Sequence, residues 1–398
     1  LALCLLLAAA FGATDTAAAQ TGAIQLEDSI EYQFGDFLAF RASVSADQDI
    51  LRVAVFYRLV GSEETYVLLS SPPLHPAAID LIRDLRNQPL PPFRSIQYWW
   101  QVALADGSEF STEPRTFIYA DNRFDWHQLS RQGITLHWYA GDMALAQAAL
   151  DLSDSSLLEI RRDLSLPDPG SVEIYLYATP DDLHSSLQRI PGDSIHGQAL
   201  IQEGIILLAA PLNADGMDEL ERGIPHELTH LLLSKRLGSA YDGLPAWLSE
   251  GLAILQETSP HPQYRLALEQ AIQSNELLPL DTLCGSFPNT GEQAVLAYAQ
   301  SASLVGYVKD VYGVGGISAL LDAYQEGASC RGGVERVLRR SLEDLQGEWR
   351  ASLSVPVAWR RAFSAWPWPG VFSLLGLGLI SALGLFLLRL RARRREKG

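Results

Sequence analysis

His226 and His230 stand four residues apart in Ile224-Pro225-His226-Glu227-Leu228-Thr229-His230, a spacing at which an α-helix puts both imidazoles on one face. Residues at that spacing share a helix face about 6 Å apart along the axis, so their ring nitrogens can reach a single cation. Glu227 follows His226 by about a third of a turn, close enough to touch a water on such a cation without binding the cation itself. The fold must therefore hold this helix against a second element that completes the site. Pro225 lacks a backbone N–H and constrains Ile224, so the helix is expected to begin near Pro225 or to kink there, after a turn or short helix over 217–222.

A catalytic zinc takes three protein ligands and keeps one open position. Beyond the histidines, Gly243-Leu244-Pro245-Ala246-Trp247-Leu248-Ser249-Glu250-Gly251-Leu252-Ala253 reads as a turn followed by a second, apolar helix. Glu250 is the only acid in that helix before Glu257. Trp247, Leu248, Ile254 and Leu255 give the helix a packing face, which would bury Glu250 unless a cation neutralised it.

The pattern His226-Glu-x-x-His230, then Trp-x-x-Glu250-Gly-x-Ala, resembles the gluzincin peptidases, the thermolysin-like clan whose third zinc ligand is a glutamate on the following helix. The wording Ile-Pro-His-Glu-Leu-Thr-His, with Ala297-Tyr298-Ala299-Gln300-Ser301 further on, resembles the bacterial peptidase MA-like family over roughly residues 124–355. The resemblance implies Zn²⁺ held by His226, His230 and Glu250, with Glu227 as general base in the hydrolysis of peptide or protein substrates. It also implies a Tyr or His donor to the oxyanion from the C-terminal helical region. Tyr298 is the candidate, with Tyr307 and His261 behind it. Two departures stand out. The acid that thermolysin-type enzymes place one turn after the glutamate ligand is here Ile254, so the partner that orients a zinc histidine must come from elsewhere. The Gly-x-Met-Glu-Asn motif of the related membrane aminopeptidases is also missing. The competing reading is a catalytically silent metallopeptidase-fold protein that binds or scaffolds at the cell surface. It is disfavoured because all four chemistry-bearing residues are present.

A formal net charge of −17 and a pI near 4.9 exclude nucleic acid as a natural partner, and 398 residues allow two or three domains. The expected organisation is a multidomain chain: an all-β sandwich, an α+β gluzincin-like domain, and one C-terminal transmembrane helix. Residues 1–19 read as the apolar core and cleavage site of a signal peptide whose start is missing. Residues 20–122 carry short alternating runs, at 37–44, 51–58, 65–69, 95–102 and 116–119, with 77–86 as a further strand and a glycine hairpin turn at 105–108. That pattern suggests an immunoglobulin- or fibronectin-type sandwich. Trp99 and Trp100 are read as packing residues rather than a ligand platform.

Residues 121–125 read as a link to the metallopeptidase domain at 123–355. That domain opens with strands and helices in alternation, including a helix over 143–164. Strands over 197–201 and 204–208 precede the histidine helix, and the family resemblance implies that they supply a sheet edge for the substrate backbone. Past Glu250 the pattern is mostly helical, over 264–274, 293–311, 317–325 and 342–353. A linker (356–370) leads to 371–388, which holds no charge and covers about 27 Å as a helix, enough to cross a bilayer. The basic tail 389–398 then places the preceding domains outside and itself in the cytoplasm, making a single-pass protein of the cell membrane. Cys284 and Cys330 are the cysteines left once Cys4 departs with the leader. In an exported chain they either pair or remain as buried thiols.

Overall fold

The computed structural model describes residues 19–21, 24–70, 77–187, 197–210, 216–288 and 291–353. The segments read as signal peptide core, transmembrane helix and basic tail lie outside the described residues. The chain divides into two compact units, Leu1–Leu338 and Arg339–Gly398.

The N-terminal strands form because their side chains alternate between inside and outside. Along β7 (Arg94–Leu104), Ile96, Tyr98, Trp100, Val102 and Leu104 are buried while the residues between them are half-buried, the period-two pattern of a sheet with one covered face. Strands β1 (Ala19–Thr21), β2 (Ile24–Gln33), β3 (Phe37–Ala46) and β6 (Ala77–Asp84) make one antiparallel sheet in the order β1-β2-β3-β6. Strands β4 (Ile50–Leu59), β5 (Tyr66–Leu69), β7 and β8 (Glu109–Ser111) make the other in the order β5-β4-β7-β8, with β9 (Arg115–Tyr119) also paired to β7. Leu26, Phe40, Val55, Ile96 and Trp100 belong to one core shared by both sheets. The hairpin between β7 and β8 turns at Gly107, whose φ of 86° favours glycine. Trp100 is buried and donates its indole N–H to Asp28 at 3.1 Å, whereas Trp99 lies half-buried and stacks on Phe56. Both are packing residues here.

The second layer is a mixed sheet of β10 (His127–Arg131), β11 (Ile134–Trp138), β12 (Val172–Tyr177), β13 (Gly197–Leu200) and β14 (Ile205–Ala209), ordered β10-β11-β12-β14-β13. β11, β12 and β14 run parallel, and β13 is an antiparallel edge. Helix α1 (Met143–Leu164) makes the crossover from β11 to β12, capped by Asp142, whose side chain accepts from the Leu145 N–H. A short α2 (Pro180–Ser186) follows β12. β10 was not anticipated; its polar, mostly exposed residues carry little alternation. The stretch read as a link is packed: Asp121 is fully buried, accepting from Tyr177 Oη at 3.0 Å and pairing with Arg123 at 2.6 Å.

Helix α3 (Gly216–Leu237) starts well before Pro225 and carries the proline in its interior, which corrects the expectation that the helix begins there. The missing N–H leaves the Glu221 carbonyl without its intrahelical partner, and the backbone N–H of Thr258 takes it at 3.0 Å. A 3-10 turn (Gly238–Gly243) leads to α4 (Ala246–Gln256), then α5 (Pro262–Ser274). The two helical runs expected over 293–311 and 317–325 are both present: α6 (Glu292–Gln325) consists of two helices meeting at a kink at Gly313, φ 71°. Among the described residues it is the one helix long and apolar enough to cross a membrane, and it packs against α4 and α5. At Gly251 a Cβ would lie 2.5 Å from the Ser301 carbonyl oxygen, so glycine lets α4 and α6 approach. Helix α7 (Cys330–Leu338) follows, and Cys330 forms a disulfide with Cys284, Cα to Cα 5.9 Å. In the second unit, α8 (Leu342–Leu353) begins at Ser341, whose hydroxyl accepts from the Asp344 N–H at 3.0 Å.

Candidate metal centre

α3 and α4 bring three donors to one point. Nε2 of His226 and Nε2 of His230 are 3.1 Å apart, and Oε2 of Glu250 lies 3.5 Å from each. Ligand atoms at about 2.0–2.2 Å from a tetrahedral zinc stand roughly 3.3 Å from one another, so these spacings fit such an ion. The donor set, two imidazoles and a carboxylate, suits zinc as well. Among the described residues these three form a group of side chains able to share a metal. They are the three the sequence pattern singled out.

The orientation of each histidine is fixed from behind. Nδ1 of His226 donates to Oε1 of Glu257 at 3.0 Å, and the Glu257 side chain is only 4% exposed. This is the partner the sequence did not reveal. It sits past the end of α4, where the backbone has turned extended (φ −59°, ψ 129°), and not one turn after Glu250. Nδ1 of His230 lies 3.1 Å from Tyr241 Oη and 3.2 Å from Ser249 Oγ. With Nδ1 engaged as donor, each ring presents its Nε2 lone pair to the shared point.

Glu227 is buried beside the triad. Burial raises its carboxyl above the ordinary range, against the histidine charges and an N–H from Ala199 that favour the ionised form. Burial would raise Glu250 too, but His230 and His226 outweigh it and hold that carboxyl well below the usual range. Gly197, on the edge strand β13, is required by this packing: a Cβ there would fall 2.9 Å from Glu227 Oε1 and 2.5 Å from Leu208.

These groups open into a cavity of about 540 Å³, walled by Gly197, Gln198 and Ala199 on β13, by α3, and by Tyr241, Tyr264 and Tyr298. Glu219 and Arg222, an ion pair at 2.9 Å, lie on the same wall. Tyr298 lines this cavity; burial, with Glu250 and Glu227 nearby, raises its phenol. Tyr264 lies beside it, rings 6.3 Å apart, and was not anticipated. His261 also lines the cavity, but its Nδ1 accepts from the Gln263 N–H at the start of α5. Tyr307 is not among the lining residues. Of the other histidines, His137 pairs with Glu173 and stacks on Tyr175, while His75 and His196 lie outside the described residues.

Two solved structures align over 80% of this chain. One is a two-domain M1 zinc metallopeptidase mutant bound to L-arginine (13% identity, 91% of that chain, TM-score 0.37). The other is an aminopeptidase N family protein from Idiomarina loihiensis (10% identity, 75% of that chain, TM-score 0.38). At such TM-scores neither carries weight for the chemistry. Among curated proteins none matches. The model of the Peptidase MA superfamily matches residues 154–355, which contain α3, α4 and the whole donor set, and with half the chain so matched, this protein belongs to the peptidase MA superfamily.

Proposed function

We propose that this protein is a zinc-dependent peptidase that hydrolyses peptide bonds in peptide or protein substrates, its folded domains outside the cytoplasm and tethered to the cell membrane. The observation that carries the reading is the convergence of His226, His230 and Glu250 at metal-binding distances with Glu227 beside them on a cavity wall. A zinc ion held by these three residues supplies Lewis acidity to a water and to the scissile carbonyl. Glu227 accepts a proton from the attacking water and returns it to the leaving amine. Glu257, Tyr241 and Ser249 hold the two imidazoles in the tautomer that binds metal. Tyr298, whose raised phenol keeps its proton, donates to the oxygen on which negative charge develops. The edge position of β13 along the cavity supports backbone alignment of substrate by strand addition.

The compartment rests on the uncharged stretch 371–388, the basic residues after it, and the Cys284–Cys330 disulfide, which suits an oxidising space. The order β2-β3-β6 opposite β5-β4-β7-β9 supports a fibronectin- or immunoglobulin-type reading of the sandwich.

The test is elemental analysis for zinc together with digestion of a broad peptide library, for the wild type and Glu227→Gln. The expected result is one zinc per chain in both and cleavage by the wild type alone. A Glu227→Gln variant that cleaves at the wild-type rate removes the proposed base. A wild type that holds zinc but cleaves nothing points to a binding protein instead.

A further inference from the structure

We propose that Pro225 is a positioning residue for the metal site, acting through Glu221, Thr258 and Glu257 on His226. The inference rests on the zinc reading above.

Proline is the poorest residue for a helix interior, because it lacks the N–H that would bond four residues back and its ring presses on that carbonyl. Pro225 nevertheless sits buried inside α3, immediately before His226. The carbonyl it leaves unbonded, that of Glu221, accepts from the backbone N–H of Thr258 at 3.0 Å. The residue before Thr258 is Glu257. Its own N–H donates to the Ile254 carbonyl at 3.1 Å, so its backbone is gripped from both sides, once by α4 and once by α3. Held there, Glu257 brings Oε1 within 3.0 Å of His226 Nδ1. The helix that carries the metal ligand therefore also anchors the carboxylate that orients that ligand, and the anchor exists because residue 225 has no N–H of its own. An alanine at 225 would supply an N–H to Glu221 and compete with Thr258 for that oxygen.

A proline kept only as a tolerated part of the helix and one kept for this link predict different behaviour. Pro225→Ala should raise the melting temperature of the zinc-free protein, since alanine suits a helix interior better. The link further requires that zinc affinity, read by competition with a chromogenic chelator, fall on the order of tenfold, the lower end of what loss of an orienting partner does. In peptide cleavage kcat should fall with KM held. Thr258→Pro removes the same hydrogen bond from its other end; Glu257 already has the extended backbone that precedes a proline. It should weaken zinc equally without raising the melting temperature, and the double variant should bind zinc no more weakly than either single one. Either single variant keeping wild-type zinc affinity and kcat overturns the proposal while leaving the zinc site intact. A wild type that takes up no zinc overturns the zinc reading and this proposal together.

Discussion

Oε1 of Glu257 and Nδ1 of His226 meet at 3.0 Å behind the metal site, the carboxylate almost wholly shielded from water. Removing it leaves the imidazole free to change tautomer and to rotate. Glu257→Ala should weaken zinc about 10- to 100-fold. Glu257→Gln, whose amide oxygen still accepts from Nδ1, should weaken it less. Chelator competition reads both; equal zinc affinity in Glu257→Ala and the wild type would remove Glu257 from the site.

His230 is served differently, with two hydroxyls within reach of one nitrogen. Nδ1 donates a single proton, so either oxygen can receive it when the other is gone. Tyr241→Phe and Ser249→Ala should each change zinc affinity by less than about threefold, while the double variant should lose on the order of tenfold or more. Additive small losses would show that the two hydroxyls do not substitute for one another.

The two cavity tyrosines can be separated by kinetics. Tyr298→Phe deletes the proposed oxyanion donor and should lower kcat by about 10²- to 10³-fold, with zinc content and KM kept. Tyr264→Phe should cost far less. If Tyr264→Phe is the severe variant, the donor has been assigned to the wrong ring.

Alkaline stability should report on the sandwich. Burial raises the phenols of Tyr98 and Tyr119 to about 12 from an ordinary value of 10.0; the Asp28 carboxylate adds to the shift at Tyr98. The folded state keeps these protons after the unfolded chain has lost them. Their contribution is therefore fully present below pH 10 and is lost as pH rises toward about 12. Melting temperatures of the metal-free protein across that range should fall, and Tyr98→Phe should make the fall shallower. An unchanged slope would contradict the assignment.

What could be read from the sequence was whatever nearby residues determine. The helices over 143–164 and 342–353 declare themselves through apolar periodicity. His226, His230 and Glu250 were legible because helical spacing and an acid in an apolar run are local signals. Pro225 misled for the same reason. Local rules start or bend a helix there, and the donor that compensates, Thr258, is distant in sequence. Glu257 was hidden because helical spacing says nothing once the chain has left the helix. The cysteine pair stayed open until the fold placed the 3-10 turn at Thr282–Cys284 beside the start of α7.

The contact between the β-sandwich and the mixed sheet also has a consequence for where this protein can be cut. Phe93, next to β7, lies 4.1 Å from the ring of Tyr175 on β12, and Arg94 pairs at 2.8 Å with Glu203, in the hairpin that leads from the edge strand β13 into β14. Trimming the chain to the portion that holds the histidines would strip Phe93 from Tyr175 and leave the β13–β14 hairpin without its brace. A fragment cut to that portion should therefore unfold at a lower temperature than the full chain.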